Sequence, residues 1–131
     1  MALIRNDQQL FDQQLRERRD ALRAAIGDTL IQTQREDFAE LAGRVHDAGE
    51  ESVADLVMST NFTTLDREVR ELREVEAALA RLRAGRYGKC VECGADIDRE
   101  RLRVNPTARR CIRCQSRREQ THGGRDATPS L

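Results

Sequence analysis

The chain has 131 residues, of which 38% are hydrophobic and 35% charged, with three Phe, one Tyr and no Trp. That is too charged and too poor in aromatic residues for a thick globular core, and no apolar run approaches the roughly 18 residues that a bilayer crossing needs. The formal net charge of zero hides an asymmetry: residues 1–80 carry 10 Arg against 17 acidic residues, whereas residues 81–120 carry 11 Arg and one Lys against five.

Such a composition suits long amphipathic helices, each burying a narrow stripe and exposing the rest. Between Asn6 and Val45 there is no proline, and Phe11, Leu15, Leu22, Ile26, Leu30, Phe38, Leu41 and Val45 recur at helical spacing. One long helical arm is expected there. The segment His46-Asp47-Ala48-Gly49 is the expected turn. A second arm follows, with Ala54, Met58, Phe62, Leu65, Val69, Leu72 and Leu79 at alternating steps of four and three and Glu76 as the one polar exception. It is expected to stop near Gly85, with Arg81 and Arg83 in the last turn.

Two arms of similar length imply a long antiparallel helical hairpin, or coiled coil, over residues 1–85. Each arm of roughly 36 residues would reach about 54 Å. The turn region, residues 46–55, is acidic: Asp47, Glu50, Glu51 and Asp55 have no Lys or Arg among them. A monomer is expected over a dimer paired through its arms.

Residues 86–118 carry the strongest signal. Cys90-x2-Cys93 and Cys111-x2-Cys114 are two pairs, each able to present two thiolates from one tight turn, and Gly94 gives the first turn its backbone freedom. Together they make a closed tetrahedral set, the ligand pattern of one structural Zn2+ in a small C4 zinc-ribbon module with a short C-terminal helix. Four protein thiolates leave no position for activated water, and the chain offers no nucleophile–base pair or phosphate loop, so an enzyme is not expected. The first residues lack the basic start and apolar stretch of a secretion signal, and a reducing cytoplasm is the expected compartment. His46 and His122 lack partners at ligand spacing and read as exposed side chains. Residues 119–131 read as a flexible tail.

The stretch Tyr87-Gly88-Lys89-Cys90-Val91-Glu92-Cys93-Gly94, then Arg101-Leu102 and Pro106-Thr107-Ala108 before Cys111 and Cys114, resembles the DksA/TraR family of C4 zinc-finger proteins. The likeness continues upstream through Leu65-Asp66-Arg67-Glu68, covering about residues 45–118. It implies a transcription regulator that binds bacterial RNA polymerase. The helical hairpin would enter the secondary channel and the zinc module would stay at its rim, while an acidic tip near the active site modulates promoter complexes without reading a DNA sequence. The family's tip pattern, two aspartates three apart and an alanine two residues later, falls here on Asp47, Glu50 and Ser52. Charge is kept at both acidic places and geometry is not. Members that respond to ppGpp carry basic residues at the positions matched here by Glu74, Asn105 and Gln115, so no ppGpp response is expected.

The cluster Arg109, Arg110, Arg113, Arg117 and Arg118 admits three readings: docking on the polymerase rim, binding nucleic-acid phosphate, or a solvated final helix. A zinc-ribbon protein that binds nucleic acid directly through these arginines is therefore the alternative function, and a structural coiled-coil adaptor is a third. No sequence-specific DNA contact is expected.

Overall fold

The computed structural model describes residues 5–33, 35–59 and 65–122. Six helices account for most of them: α1 (Arg5–Gln32), α2 (Glu36–His46), α3 (Val53–Met58), α4 (Asp66–Arg83), α5 (Arg99–Val104) and α6 (Ile112–His122). The class is mainly α, with antiparallel helices leading into a cysteine-bearing module and a short C-terminal helix. None of the described helices is long and apolar enough to cross a membrane.

The apolar stripe of the first arm is buried as its spacing predicts: Phe11, Leu15, Leu22, Ile26, Leu30, Phe38, Leu41 and Val45 all lie in one core. The arm itself is not continuous. It ends at Gln32, and α2 doubles back along the second half of α1 instead of extending it. Thr33 closes α1 by turning its hydroxyl onto the Leu30 carbonyl at 2.7 Å, and Arg35 covers the Phe38 ring at 4.4 Å. The second arm is likewise two helices, α3 and α4, which pack against each other.

The expected turn after His46 is present. Asp47 caps α2, and Gly49 takes φ +60°, a left-handed conformation that costs glycine nothing. Ser52 then starts α3, its Oγ accepting from the Asp55 amide at 3.1 Å. At the end of α4 the expected stop near Gly85 has full Schellman geometry. Gly85 has φ +73°, its N–H donates to Leu82, and the Arg86 N–H donates to Arg81 at 2.8 Å.

Along α4 the buried residues are Val69, Leu72, Val75, Ala78 and Leu79, so Val75 rather than Glu76 continues the seam. Met58 is about half-exposed, and Phe62 lies outside the described residues. The N-terminal half of α1 lies toward the C-terminal end of α4: Phe11 meets Tyr87 with ring centroids 5.7 Å apart. Arg18 reaches Glu71 at 2.7 Å and Arg23 reaches Glu76 at 3.4 Å. From Phe11 opposite Tyr87 to Arg23 opposite Glu76, residue numbers rise along α1 as they fall back into α4, so the two helices run in opposite directions. Residues 119–122, expected as the start of a tail, are helical, because α6 continues to His122; the rest of that expected tail, residues 123–131, lies outside the described residues.

Candidate metal centre and acidic turn

Residues 87–98 form the first cysteine turn. Gly88 and Gly94 both have positive φ, at +84° and +78°. Around them the Cys90 amide donates to Ala95 at 2.8 Å, the Gly94 amide to Cys90 at 2.9 Å and the Ile97 amide to Gly88 at 2.8 Å. Lys89 and Asp96 face each other in an antiparallel bridge, the only β pairing among the described residues, and their side chains form an ion pair. The second pair is built differently. Cys111 and Cys114 occupy the start of α6, where the Gln115 amide donates to the Cys111 carbonyl at 2.9 Å. One backbone bond, from the Val91 amide to the Arg109 carbonyl at 2.8 Å, ties the two turns together.

The result is a cluster in which the Sγ atoms of Cys90, Cys93, Cys111 and Cys114 all lie within 4.8 Å of one another. Cys93 and Cys111 are 3.8 Å apart at sulfur, which matches the edge of about 3.8 Å that a tetrahedron with Zn–S bonds of about 2.3 Å requires. Protons are shared unevenly among the four thiols. Burial pushes the Cys90 thiol up, but hydrogen bonds from the backbone around Cys93, Cys111 and Glu92 outweigh it and bring it down to about 6. Cys111 is also drawn down, first by its backbone bond at Cys114, whereas its own hydrogen bond to Cys114 pushes that thiol up to about 12. Four sulfurs this close share protons unless a cation lies among them. One structural Zn2+ fits the donor set, the spacing and the closed coordination.

Contacts among the described residues bind this module to the helices. Tyr87 is buried against Phe11 and donates its hydroxyl to the Pro106 carbonyl at 2.8 Å, which joins two parts of the sequence motif through one side chain. Burial holds its phenol above the usual range. Asp7, nearly buried in the first turn of α1, pairs with Arg99 at 2.8 Å, and Arg81 donates to the Thr107 carbonyl at 3.3 Å. The arginine cluster is divided. Arg110 is held by Glu92 at 3.2 Å, with Arg118 4.0 Å from the same carboxylate, while Arg109, Arg113 and Arg117 are exposed.

The acidic residues Asp47, Glu50, Glu51 and Asp55 are all exposed and lie on one turn, as their spacing implies. They do not stand at the free end of a rod. Glu50 pairs with Arg83 at 2.8 Å and lies 3.7 and 3.8 Å from Arg16 and Arg19. Arg23 donates to the carbonyls of Gly49 and Glu51 at 2.8 and 2.9 Å, and Asp55 pairs with Arg73 at 3.3 Å. The physical reason is the break after Gln32, which turns the acidic segment back against the middle of α1 and the end of α4. Glu76, the one polar exception in the second arm's repeat, is the least expected participant. It is largely buried, accepting from Ser52 Oγ at 3.0 Å and from the Val53 and Ala54 amides at 2.9 and 3.4 Å, so that its carboxylate caps α3. Its lone polarity within an apolar repeat was the available signal.

Residues 85–120 match the model of the prokaryotic dksA/traR C4-type zinc finger. The RNA polymerase-binding transcription factor DksA of Caulobacter vibrioides (strain NA1000 / CB15N) is 29% identical over 119 residues, covering 88% of this chain and 79% of that protein. The protein of the same name from Escherichia coli (strain K12) is 28% identical over 98 residues, 75% of this chain and 62% of that one. Among solved structures, transcription factor DksA2 from Pseudomonas aeruginosa superposes with a TM-score of 0.63 at 31% identity, over 90% of this chain and 87% of that one. With the cysteine cluster, the motif around Tyr87 and likeness along most of the chain all in agreement, the chain belongs to the DksA/TraR family of C4 zinc-finger proteins.

Proposed function

We propose that this protein is a transcription regulator, not an enzyme, that acts as a monomer by binding bacterial RNA polymerase. Its helical hairpin enters the secondary channel, and the carboxylates of Asp47, Glu50, Glu51 and Asp55 modulate promoter complexes near the polymerase active site. The zinc module remains outside, where the exposed Arg109, Arg113 and Arg117 meet acidic surface at the rim. The observation that carries this reading is likeness to polymerase-binding transcription factors over nearly the whole chain, helices and module together. Relatives that shared only the metal ligands would favour the nucleic-acid alternative instead. Carboxylates on one exposed turn supply hard oxygen ligands and strong acceptors for a magnesium ion or basic groups.

A purified transcription assay tests the proposal. The wild-type protein is expected to co-purify with polymerase and to change the lifetime of promoter complexes. Asp47→Asn/Glu50→Gln is expected to retain binding and lose the effect. Failure to bind polymerase, combined with steeply salt-dependent binding to bare DNA that is lost in Arg109→Ala/Arg113→Ala/Arg117→Ala, would select the direct nucleic-acid reading.

The same assay addresses ppGpp. The positions matching the family's alarmone-binding cations are Glu74, Asn105 and Gln115, which leave a polyanion without charged partners. Addition of ppGpp is expected to leave the half-effective protein concentration unchanged, and a several-fold decrease would overturn the assignment.

A further inference from the structure

The acidic turn hangs between apolar anchors. Leu41 and Val45 of α2 and Val53 and Val57 of α3 are buried in the common core. Between Val45 and Val53 only Ala48 is buried. The core therefore fixes where the turn begins and ends and leaves the path of residues 49–52 to polar contacts. Local hydrogen bonds cover part of that path: the Asp47 amide donates to Gly43 and the Glu51 amide to Ala48, both at 3.1 Å. The amides of Val53 and Ala54 begin α3 and have no acceptor within their own helix. They, and the carbonyls of Gly49 and Glu51, find partners elsewhere.

One charge pair supplies them. Arg23 of α1 donates through Nη1 to the Gly49 carbonyl at 2.8 Å and through Nη2 to the Glu51 carbonyl at 2.9 Å. Glu76 of α4 accepts from Ser52 Oγ at 3.0 Å and from the Val53 and Ala54 amides at 2.9 and 3.4 Å. The two side chains meet at 3.4 Å and are only 12% and 14% exposed. A guanidinium presents a rigid fork of donors that spans two carbonyls, which the single point of an ammonium does not reproduce. Withdrawing two charges from water is costly, and well-packed apolar side chains commonly join two helices as well as such a pair does. Leu22 and Ile26 on α1 and Val75 and Leu79 on α4, next along their helices, are already buried in that way. What the pair adds to the packing is a fixed backbone for the turn.

We infer that Arg23 and Glu76 are positioning residues of the acidic turn: seated between α1 and α4, they set the backbone of residues 49–54 and through it the way the turn presents its carboxylates to a partner. With the backbone so held, Glu50 meets Arg83 of α4 at 2.8 Å and lies near Arg16 and Arg19 of α1. Asp55 pairs with Arg73, whereas Asp47 and Glu51 form no ion pair among the described residues. Asp47 and Glu51 are therefore the carboxylates left for a partner's cation. This rests on the functional reading above and adds to it two residues that are themselves nearly out of a partner's reach.

Amide exchange with water, read by nuclear magnetic resonance on the full-length, zinc-loaded protein, tests the positioning without polymerase. Glu76→Gln is expected to speed exchange at Val53 and Ala54 by about tenfold or more, the effect of losing a hydrogen bond to a charged group. Arg23→Lys, which keeps the charge and loses the fork, is expected to move the amide resonances of Glu50 and Ser52, next to the released carbonyls. Core amides such as that of Leu72 are expected to stay in place in both. In the promoter assay both variants are expected to bind polymerase and to lose the effect as fully as Asp47→Asn/Glu50→Gln, although neither alters an exposed carboxylate. The charge-reversed Arg23→Glu/Glu76→Arg is expected not to restore it, because a carboxylate at position 23 cannot donate to two carbonyls. Restoration by that reversal would reduce the pair to a bridge between helices and overturn the proposal. So would unchanged exchange and resonances over residues 49–54 in both variants, or an altered turn with the full promoter effect. Should Glu76→Gln fail to fold, Arg23→Lys carries the test. An altered turn in variants of a protein that never binds polymerase would keep the pair as organiser of the turn and remove the functional reading, so the two fail separately.

Discussion

Removal of zinc by a chelator, or the substitution Cys111→Ser, is expected to unfold residues 86–118 while α1–α4 remain helical. The module buries only Tyr87, Ile97, Leu102 and Ala108 besides two of its cysteines. That is far too little apolar area to offset the conformational entropy of some thirty residues, at about 1–2 kcal/mol each for the backbone alone. Metal binding is coupled to folding in small structural sites of this kind and supplies stability that the apolar contacts do not. Two of the six helices, α5 and α6 of 6 and 11 residues, should be lost from the far-ultraviolet circular dichroism signal. Tyr87 is the only tyrosine and the chain has no tryptophan, so intrinsic fluorescence reports on the module alone. Its emission should shift to that of a solvated phenol as Phe11 and Pro106 are lost as neighbours. Unchanged fluorescence and unchanged helicity after complete zinc removal would show that the module folds without metal. The four thiols also make the loss acid-sensitive, because protons compete for the ligands.

The second large effect is expected in the helical core. Leu72 is fully buried on α4, at the heart of the cluster that includes Ile26, Leu30 and Val57. Leu72→Ala is expected to lower the stability of α1–α4 by about 2–5 kcal/mol, the range for a buried leucine that leaves a cavity. Leu10, half-exposed on α1, serves as the control, since an exposed substitution stays within about 0.5 kcal/mol. Urea denaturation followed by circular dichroism separates them by the shift in midpoint at constant slope. Equal shifts for both variants would mean that the bundle is not packed as described.

The difference between these two sites in legibility is physical. The metal ligands could be read from the sequence because Cys-x2-Cys is a local covalent constraint, and closing two such turns on one ion needs little from the rest of the chain. The stripe from Phe11 to Val45 was legible for a similar reason: helical periodicity fixes which face is buried, and all eight of those residues are in the core. Where the stripe bends was not legible. The step from Leu30 to Phe38 suits a continuous helix and a reversal equally, and Thr33 and Arg35 carry no strong break signal; packing against α1 decides. Glu76 illustrates the other limit. Helical spacing placed it on the seam, but its role as the acceptor for the Val53 and Ala54 amides depends on a helix brought alongside by tertiary structure. The arginines around Glu50 come from both α1 and α4, and no local pattern announces that meeting.

The pairing of Asp7 with Arg99, and of Phe11 with Tyr87, joins the opening turns of the chain to its last third. A nascent chain therefore exports α1 long before either of its partners exists, and the start of that helix stays undocked until Tyr87 and Arg99 have emerged. Such long-range closure raises contact order and slows the final step of folding. Metal capture and the docking of the amino-terminal helix become one late event, so a cell short of zinc would accumulate chains defective at both extremities at once.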